Sequence, residues 1–229
     1  DPVHQPWTVV ADANAPFQNS SDVGNDHLGA SLQVLAFRGA SDPAAETEFT
    51  DSGGPTGYAL IFDGKDDYVD VPVNLNLYEE VTAVVWTRTN APPPGERYQI
   101  ISNDQGSYGR CIQTRPTNYW IFHTEGQAIT HNVVPTLNSW EHLAATWTTK
   151  SVKFYINGEL VATGVGDSPV YNDSVSTNIG RNFSQKDYYN GALDEVALFS
   201  VVLTEDEIKS IVDDGLERAL GIAAVSCAG

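Results

Sequence analysis

The chain has no methionine, not even at position 1, only two cysteines, and twelve basic residues against thirty acidic ones. The missing initiator is expected of a chain processed or excised from a longer one, from which a signal peptide would already be gone. The shortage of cations leaves a formal charge of −18. So negative a surface repels nucleic acid and anionic membranes, which sets both aside as partners, and it attracts divalent cations. Long hydrophobic runs are also lacking: nothing approaches the roughly twenty apolar residues of a membrane helix, and the terminal ALGIAAVSCAG reads as a packed tail or the start of a linker. Cys111 and Cys227 show no CxxC spacing, which excludes a zinc or redox motif. They form either one disulfide of a secreted protein or a buried thiol and a free one. The five histidines are dispersed, and neither GxSxG nor HExxH occurs.

What is present is a folded β protein. Aromatics make up 10% and hydrophobic residues 41% of 229 residues, with the acids scattered rather than in blocks, so disorder is excluded. VKFYINGELVATG (152–164) alternates apolar and polar positions and breaks at Asn157-Gly158, which predicts a hairpin with a two-residue turn. TAVVWTRT (82–89), YQIIS (98–102), GRCIQTR (109–115), NYWIFHT (118–124) and EHLAATWT (141–148) are similar short runs rich in β-branched and aromatic residues. Their spacing suits an antiparallel sandwich or barrel. FDGKDDYVDV (62–71) reads as a further hairpin turning at Asp63-Gly64, with Val69 and Val71 on one side of its strand and Tyr68 and Asp70 on the other.

A single helix is expected in LTEDEIKSIVDDGLE (203–217). Thr204 and Glu207 have capping-box spacing, Ile208, Ile211 and Val212 form one stripe, and Gly215 ends it. It is expected against the edge of the sandwich. Residues 1–37 hold strand-like pieces (WTVVA, SLQVLAF), 38–57 read as a long loop or insertion, and 218–229 as a tail. No linker divides the chain, so 1–229 is expected to be one domain.

The order FDGKDDYVDV, a Trp-bearing strand, SWEHLAATWTTKSVKFYINGELVATG, IGRN and GALDEVALFSVVLTEDEIKSI resembles the laminin-G-like, concanavalin A-type jelly-roll domains of bacterial extracellular proteins. The likeness spans roughly residues 58–216. It implies an all-β, two-sheet antiparallel jelly-roll sandwich with one short C-terminal helix, in which the first strands pair with the last. It also implies a secreted or cell-surface module that binds a glycan or a glycosylated surface protein, acts in adhesion, is monomeric, and often carries a structural calcium ion. Some relatives on the same fold cleave polysaccharides, and a spacer domain without a ligand is the third alternative.

Asp194 is the foremost metal candidate. In GALDEVALF it lies within a strand apolar on both faces, with Ala192, Val196 and Leu198 assigned to its own side and Leu193, Ala197 and Phe199 to the other. A carboxylate there needs a metal, a hydrogen bond or an ion pair, for instance with Arg181. Carboxylates and carbonyls without a His or Cys cluster favour calcium over zinc. Asp22 and Asp26 of the N-terminal turn and Asp63 are the partners considered. For Asp63 and its neighbours the plain alternative is an acidic turn partly neutralised by Lys65.

For sugar binding the candidates are Trp120, Tyr119 and Tyr108, with Trp86 and Tyr188-Tyr189 behind them, since aromatic rings stack on the CH-rich faces of sugars. Adjacent Tyr119 and Trp120 must point to opposite faces, so one of them belongs to the core. Arg110, Arg115, Gln113 and His123 lie on the middle strands, where they could bind hydroxyls or a carboxylated sugar, or simply form a solvated face. Trp140 and Trp147 are assigned to packing. A glycosidase needs two carboxylates about 5 Å apart for retention, and no central strand supplies such a pair. A lyase set of Tyr119, His123 and Arg110 is the remaining catalytic alternative.

Overall fold

The computed structural model describes residues 8–9, 34–38, 59–71, 73–95, 97–104, 109–115, 119–124, 127–130, 133–166, 176–183 and 187–219. Among the described residues, fourteen strands are distributed over two antiparallel sheets. They are β1 (Thr8–Val9), β2 (Val34–Arg38), β3 (Leu60–Asp63), β4 (Val69–Val71), β5 (Val81–Thr89), β6 (Tyr98–Ser102) and β7 (Cys111–Thr114), followed by β8 (Trp120–Thr124), β9 (Gln127–Thr130), β10 (Glu141–Trp147), β11 (Ser151–Ile156), β12 (Glu159–Val165), β13 (Thr177–Ile179) and β14 (Asn190–Phe199). The larger sheet runs β1-β2-β14-β5-β10-β11-β12, with β3 also on β14; the smaller runs β4-β13-β6-β7-β8-β9. β14 is long enough to pair β3 along Asn190–Leu193 and β2 along Val196–Phe199, so the early strands do return to the last.

Alternation builds the core. Ile100, Ile112, Trp120 and Phe122 of the small sheet meet Val85, Leu143, Ala145, Trp147 and Phe154 of the large one. Phe122 stacks on Phe154 at 5.0 Å. Each fully buried side chain of this kind contributes about 1.5–3 kcal/mol. Trp147 also donates from Nε1 to the carbonyl of His123 at 3.1 Å, a polar tie between the sheets. The β11–β12 turn is the expected one: Asn157 (φ 50°) and Gly158 (φ 82°) both lie in the left-handed region.

Three expectations are corrected. FDGKDDYVDV is not a hairpin, because β3 joins the large sheet and β4 the small one, so the Asp63–Tyr68 loop crosses between layers. The half-buried phase of β4 is as read, with Val71 buried and Tyr68 and Asp70 exposed. Second, Asp194 does not share a face with Val196 and Leu198. The register against β5 shifts between Asp194 and Ala197, and Glu195 takes φ 46°. This bulge inverts the alternation, leaving Leu193, Val196 and Leu198 in the inter-sheet core and Ala197 and Phe199 on the outer face.

Third, the helix α1 (Glu205–Asp214) covers the outer face of the large sheet rather than its edge. Its capping box forms between Thr204 and Glu207, and Gly215 closes it at φ 82°. Ile208 and Ile211 pack with Leu216 on Val84, Ala144, Tyr155, Ala197 and Phe199. A second short helix α2 (Leu216–Ala219) follows, its Leu216 N–H donating to the buried Glu195 carboxylate at 3.0 Å. No helix among the described residues is long and apolar enough to cross a membrane.

Candidate functional site

With Ile100, Ile101, Ile112, Trp120 and Phe122 turned inward, alternation, shifted on β6 by a bulge between Gln99 and Ile101, turns Gln99, Gln113, Ile121, Ser102, Cys111 and His123 to the outer face of the small sheet. Two rows cross the strands there. Gln99 lies opposite Gln113, which lies opposite Ile121; Asn178 lies opposite Ser102, then Cys111, then His123. All of these side chains are buried. Gln99 donates from Nε2 to Gln113 Oε1 at 2.7 Å. His123 is pushed down to about 4 by burial, reinforced by the Arg115 and Arg97 cations against the opposing pull of Asp104. It is therefore a neutral imidazole near pH 7. Cys111 is a free thiol, raised well above the ordinary range by burial.

The face is more open at one end. There β6 begins, β7 and β13 finish and β8 begins, which brings Arg97, Arg115, Tyr119 and Arg181 to the same margin. Arg97 pairs from Nε with Asp187 at 3.2 Å. Arg181 donates from Nε to Asn178 Oδ1 at 2.6 Å and lays its guanidinium carbon 3.3 Å from the ring centre of Tyr68. The ring centre of Phe183 lies 5.7 Å from the same carbon. The two rings remain 45% and 51% exposed, unusual for large aromatic side chains, and both lie near the one guanidinium.

Of the residues expected to bind a ligand, Arg115, His123 and Tyr119 do share the outer face of the small sheet. Trp120 does not: it is fully buried between the sheets, because the phase of β8 gives the outer side to Tyr119. Arg110 is also removed from the site. It is buried and donates from Nη1 to the carbonyls of Leu75 at 2.7 Å and Tyr78 at 2.8 Å, holding a 3-10 turn at Leu75–Leu77. The lyase set of Tyr119, His123 and Arg110 is thereby broken up. Tyr189 is buried too, bonded through its hydroxyl to Thr87 and Thr89. Trp86 is half-buried on the large sheet, 5.3 Å from His142. Tyr108, Asp22, Asp26 and Cys227 lie outside the described residues.

The metal candidates separate. Asp63 faces Asn190, and Asp194 lies four residues further along β14, about 13 Å away at ordinary strand rise. One ion with bonds of about 2.4 Å cannot hold both. Asp194 is 2% exposed and accepts from the Glu195 N–H at 2.8 Å, and Arg181 is engaged by Asn178 on the other sheet. Asp63, Asp66 and Asp67 are exposed, with carboxylate oxygens within 4.8 Å of one another. Lys65 sits 3.0 Å from Asp63, and its backbone N–H donates to the same carboxylate, which together hold Asp63 below the usual range.

Tyr68 and Arg181 fall within the FDGKDDYVDV and IGRN stretches, but nothing in either marks them, or Phe183, as ligand contacts. The exposed phase of Tyr68 is legible in DDYVDV, but only the pairing of β4 with β13 brings it to Arg181.

Residues 63–209, nearly two thirds of the chain, match the Laminin_G_3 family, described as the concanavalin A-like lectin/glucanases superfamily. The chain belongs to this superfamily. Among solved structures this member of it is similar to the CBM40 of a Ruminococcus gnavus IT-sialidase bound to alpha2,3 sialyllactose. The identity is 13%, the TM-score 0.54, and 67% of this chain and 95% of that one are covered. Domain 4 of AbnA, an extracellular GH43 arabinanase of Geobacillus stearothermophilus in complex with arabinotriose, gives 16% identity and TM-score 0.57 over 80% of this chain and 88% of that one. A botulinum neurotoxin type C structure, concerned with its interaction with two ganglioside molecules, gives 17% and 0.55 over 82% of this chain; the chain spans about half of its length, 47%. At such identities the likeness is one of fold. No curated protein matches the chain.

Proposed function

We propose that the protein is an extracellular, non-catalytic carbohydrate-binding module that engages a glycan, free or on a glycosylated surface protein, at the open margin of its small sheet. The observation that carries this reading is the pair of half-exposed rings, Tyr68 and Phe183, flanking an arginine fixed by Asn178. A sugar presents CH-rich faces to such rings and hydroxyls to the polar groups beside them. The likeness to modules whose structures hold sialyllactose and arabinotriose supports the same reading.

Calcium belongs to the proposal as a structural ion. Asp63, Asp66 and Asp67 would hold it, since exposed carboxylate oxygens are the hard donors this cation takes, with carbonyls and waters completing six to eight ligands. Its contribution there would be to neutralise three adjacent carboxylates in the loop that leads into Tyr68.

A glycan array probed with the intact chain and with Phe183→Ala tests the binding role. Signals on a defined set of glycans that fall roughly tenfold or more in the variant are expected, a loss of about 1.4 kcal/mol or more. An array without a single ligand would sink the reading in favour of a spacer domain.

A further inference from the structure

We propose that this margin selects a carboxylated sugar, and that Arg181 is the residue that reads the carboxylate. The inference rests on the carbohydrate-binding reading and adds the chemical class of the ligand. In a chain of twelve basic and thirty acidic residues, three arginines meet at one end of one sheet. Arg97 is neutralised by Asp187. Arg115 and Arg181 have no ion pair among the described residues, despite the surplus of acids. Arg181 is moreover immobilised: Asn178 holds its Nε and Tyr68 supports its plane, which leaves Nη1 and Nη2 without a hydrogen-bond partner among the described residues.

A planar fork held in this way matches a carboxylate bidentately, which a neutral hydroxyl does not reward equally. The Phe183 ring, 5.7 Å from the guanidinium carbon, remains for the apolar face of the same sugar. The net charge of −18 disfavours anions at large, so an acidic ligand depends on the cations gathered here, with Asp70, which accepts from Asn178 at 3.4 Å, opposing them. Its binding should therefore weaken with salt.

Titration calorimetry of the full chain against matched pairs tests this: sialyllactose with lactose, digalacturonate with galactobiose, and a sulfated galactobiose as a third arm. At least one carboxylated sugar should bind about tenfold tighter than its neutral counterpart, and Arg181→Gln should reduce that ratio to below about threefold. Arg181→Lys, which keeps the charge and loses the fork, should fall between. Equal affinity for acid and neutral partners overturns this inference and leaves the carbohydrate-binding reading standing. Preference for the sulfated sugar alone overturns it likewise. Absence of binding throughout, with the glycan array also blank, overturns both. A melting temperature for each variant within about 2 °C of the parent separates lost recognition from lost folding.

Discussion

Gln99 donates to Gln113 at 2.7 Å across two neighbouring strands, both side chains fully buried on the outer face of the small sheet. Gln99 Oε1 and Gln113 Nε2 have no further partner among the described residues. Such a pair is close to neutral as a unit and costly when halved. Gln113→Met should destabilise by about 1–3 kcal/mol, and the double change Gln99→Met with Gln113→Met should recover most of it. Urea unfolding of the four proteins of the cycle measures the coupling. Equal additive losses would show that the amides act independently.

Arg110 belongs to the framework, where its Nη1 serves the carbonyls of Leu75 and Tyr78. Arg110→Met is expected to cost roughly 2–4 kcal/mol, since it removes the donor from the buried carbonyl of Leu75 and the half-buried one of Tyr78. The affinity for any glycan bound by the folded protein should stay unchanged. Thermal melting and binding, measured on the same sample, check both halves.

Trp120 and Phe183 should behave in opposite ways. Trp120→Ala empties a volume in the inter-sheet core and should cost about 3–5 kcal/mol. Phe183 is 51% exposed, and its removal should move stability by less than about 0.5 kcal/mol while weakening the glycan. A stable Trp120→Ala variant with lost binding would restore that residue as a ligand contact.

Stability should decline as the pH falls from 6.5 towards 5. His142 is buried against Trp86 and lowered to about 3 by burial, and His123 is lowered to about 4. In this window the unfolded chain binds protons at both sites and the folded one does not, so each contributes a loss of up to about 1.4 kcal/mol per pH unit. The stability they supply is complete above about pH 6.5. Burial raises Glu141, which acts with the opposite sign from about 4.5 upward and so offsets part of the histidine effect. Chemical denaturation at several pH values should give a shallower slope for His142→Phe. An identical slope would exclude His142 as a source.

Calcium should raise the melting temperature and EDTA should lower it if the 63–67 loop holds an ion, because a ligand selective for the folded state stabilises it. Asp66→Asn with Asp67→Asn should abolish that response. A curve indifferent to both reagents removes the ion from the proposal.

The sequence by itself determined most of the strands, though not β9 or β13, and also the Asn157-Gly158 turn and the capped helix, because each depends on neighbours within a few residues: alternation, left-handed turn residues, a Thr204–Glu207 box. It also carried the superfamily, through motifs spread over most of the chain. What it could not contain is which strand lies beside which. Only the tertiary structure sent the two halves of FDGKDDYVDV into different sheets, inverted the phase at Glu195 and so turned Asp194 away from the core, and buried Trp120 and Arg110. Tyr68, Arg181 and Phe183 meet for the same reason. Tyr68 stands more than a hundred residues before the other two, and the register of β4 against β13 is the cause of its contact with Arg181.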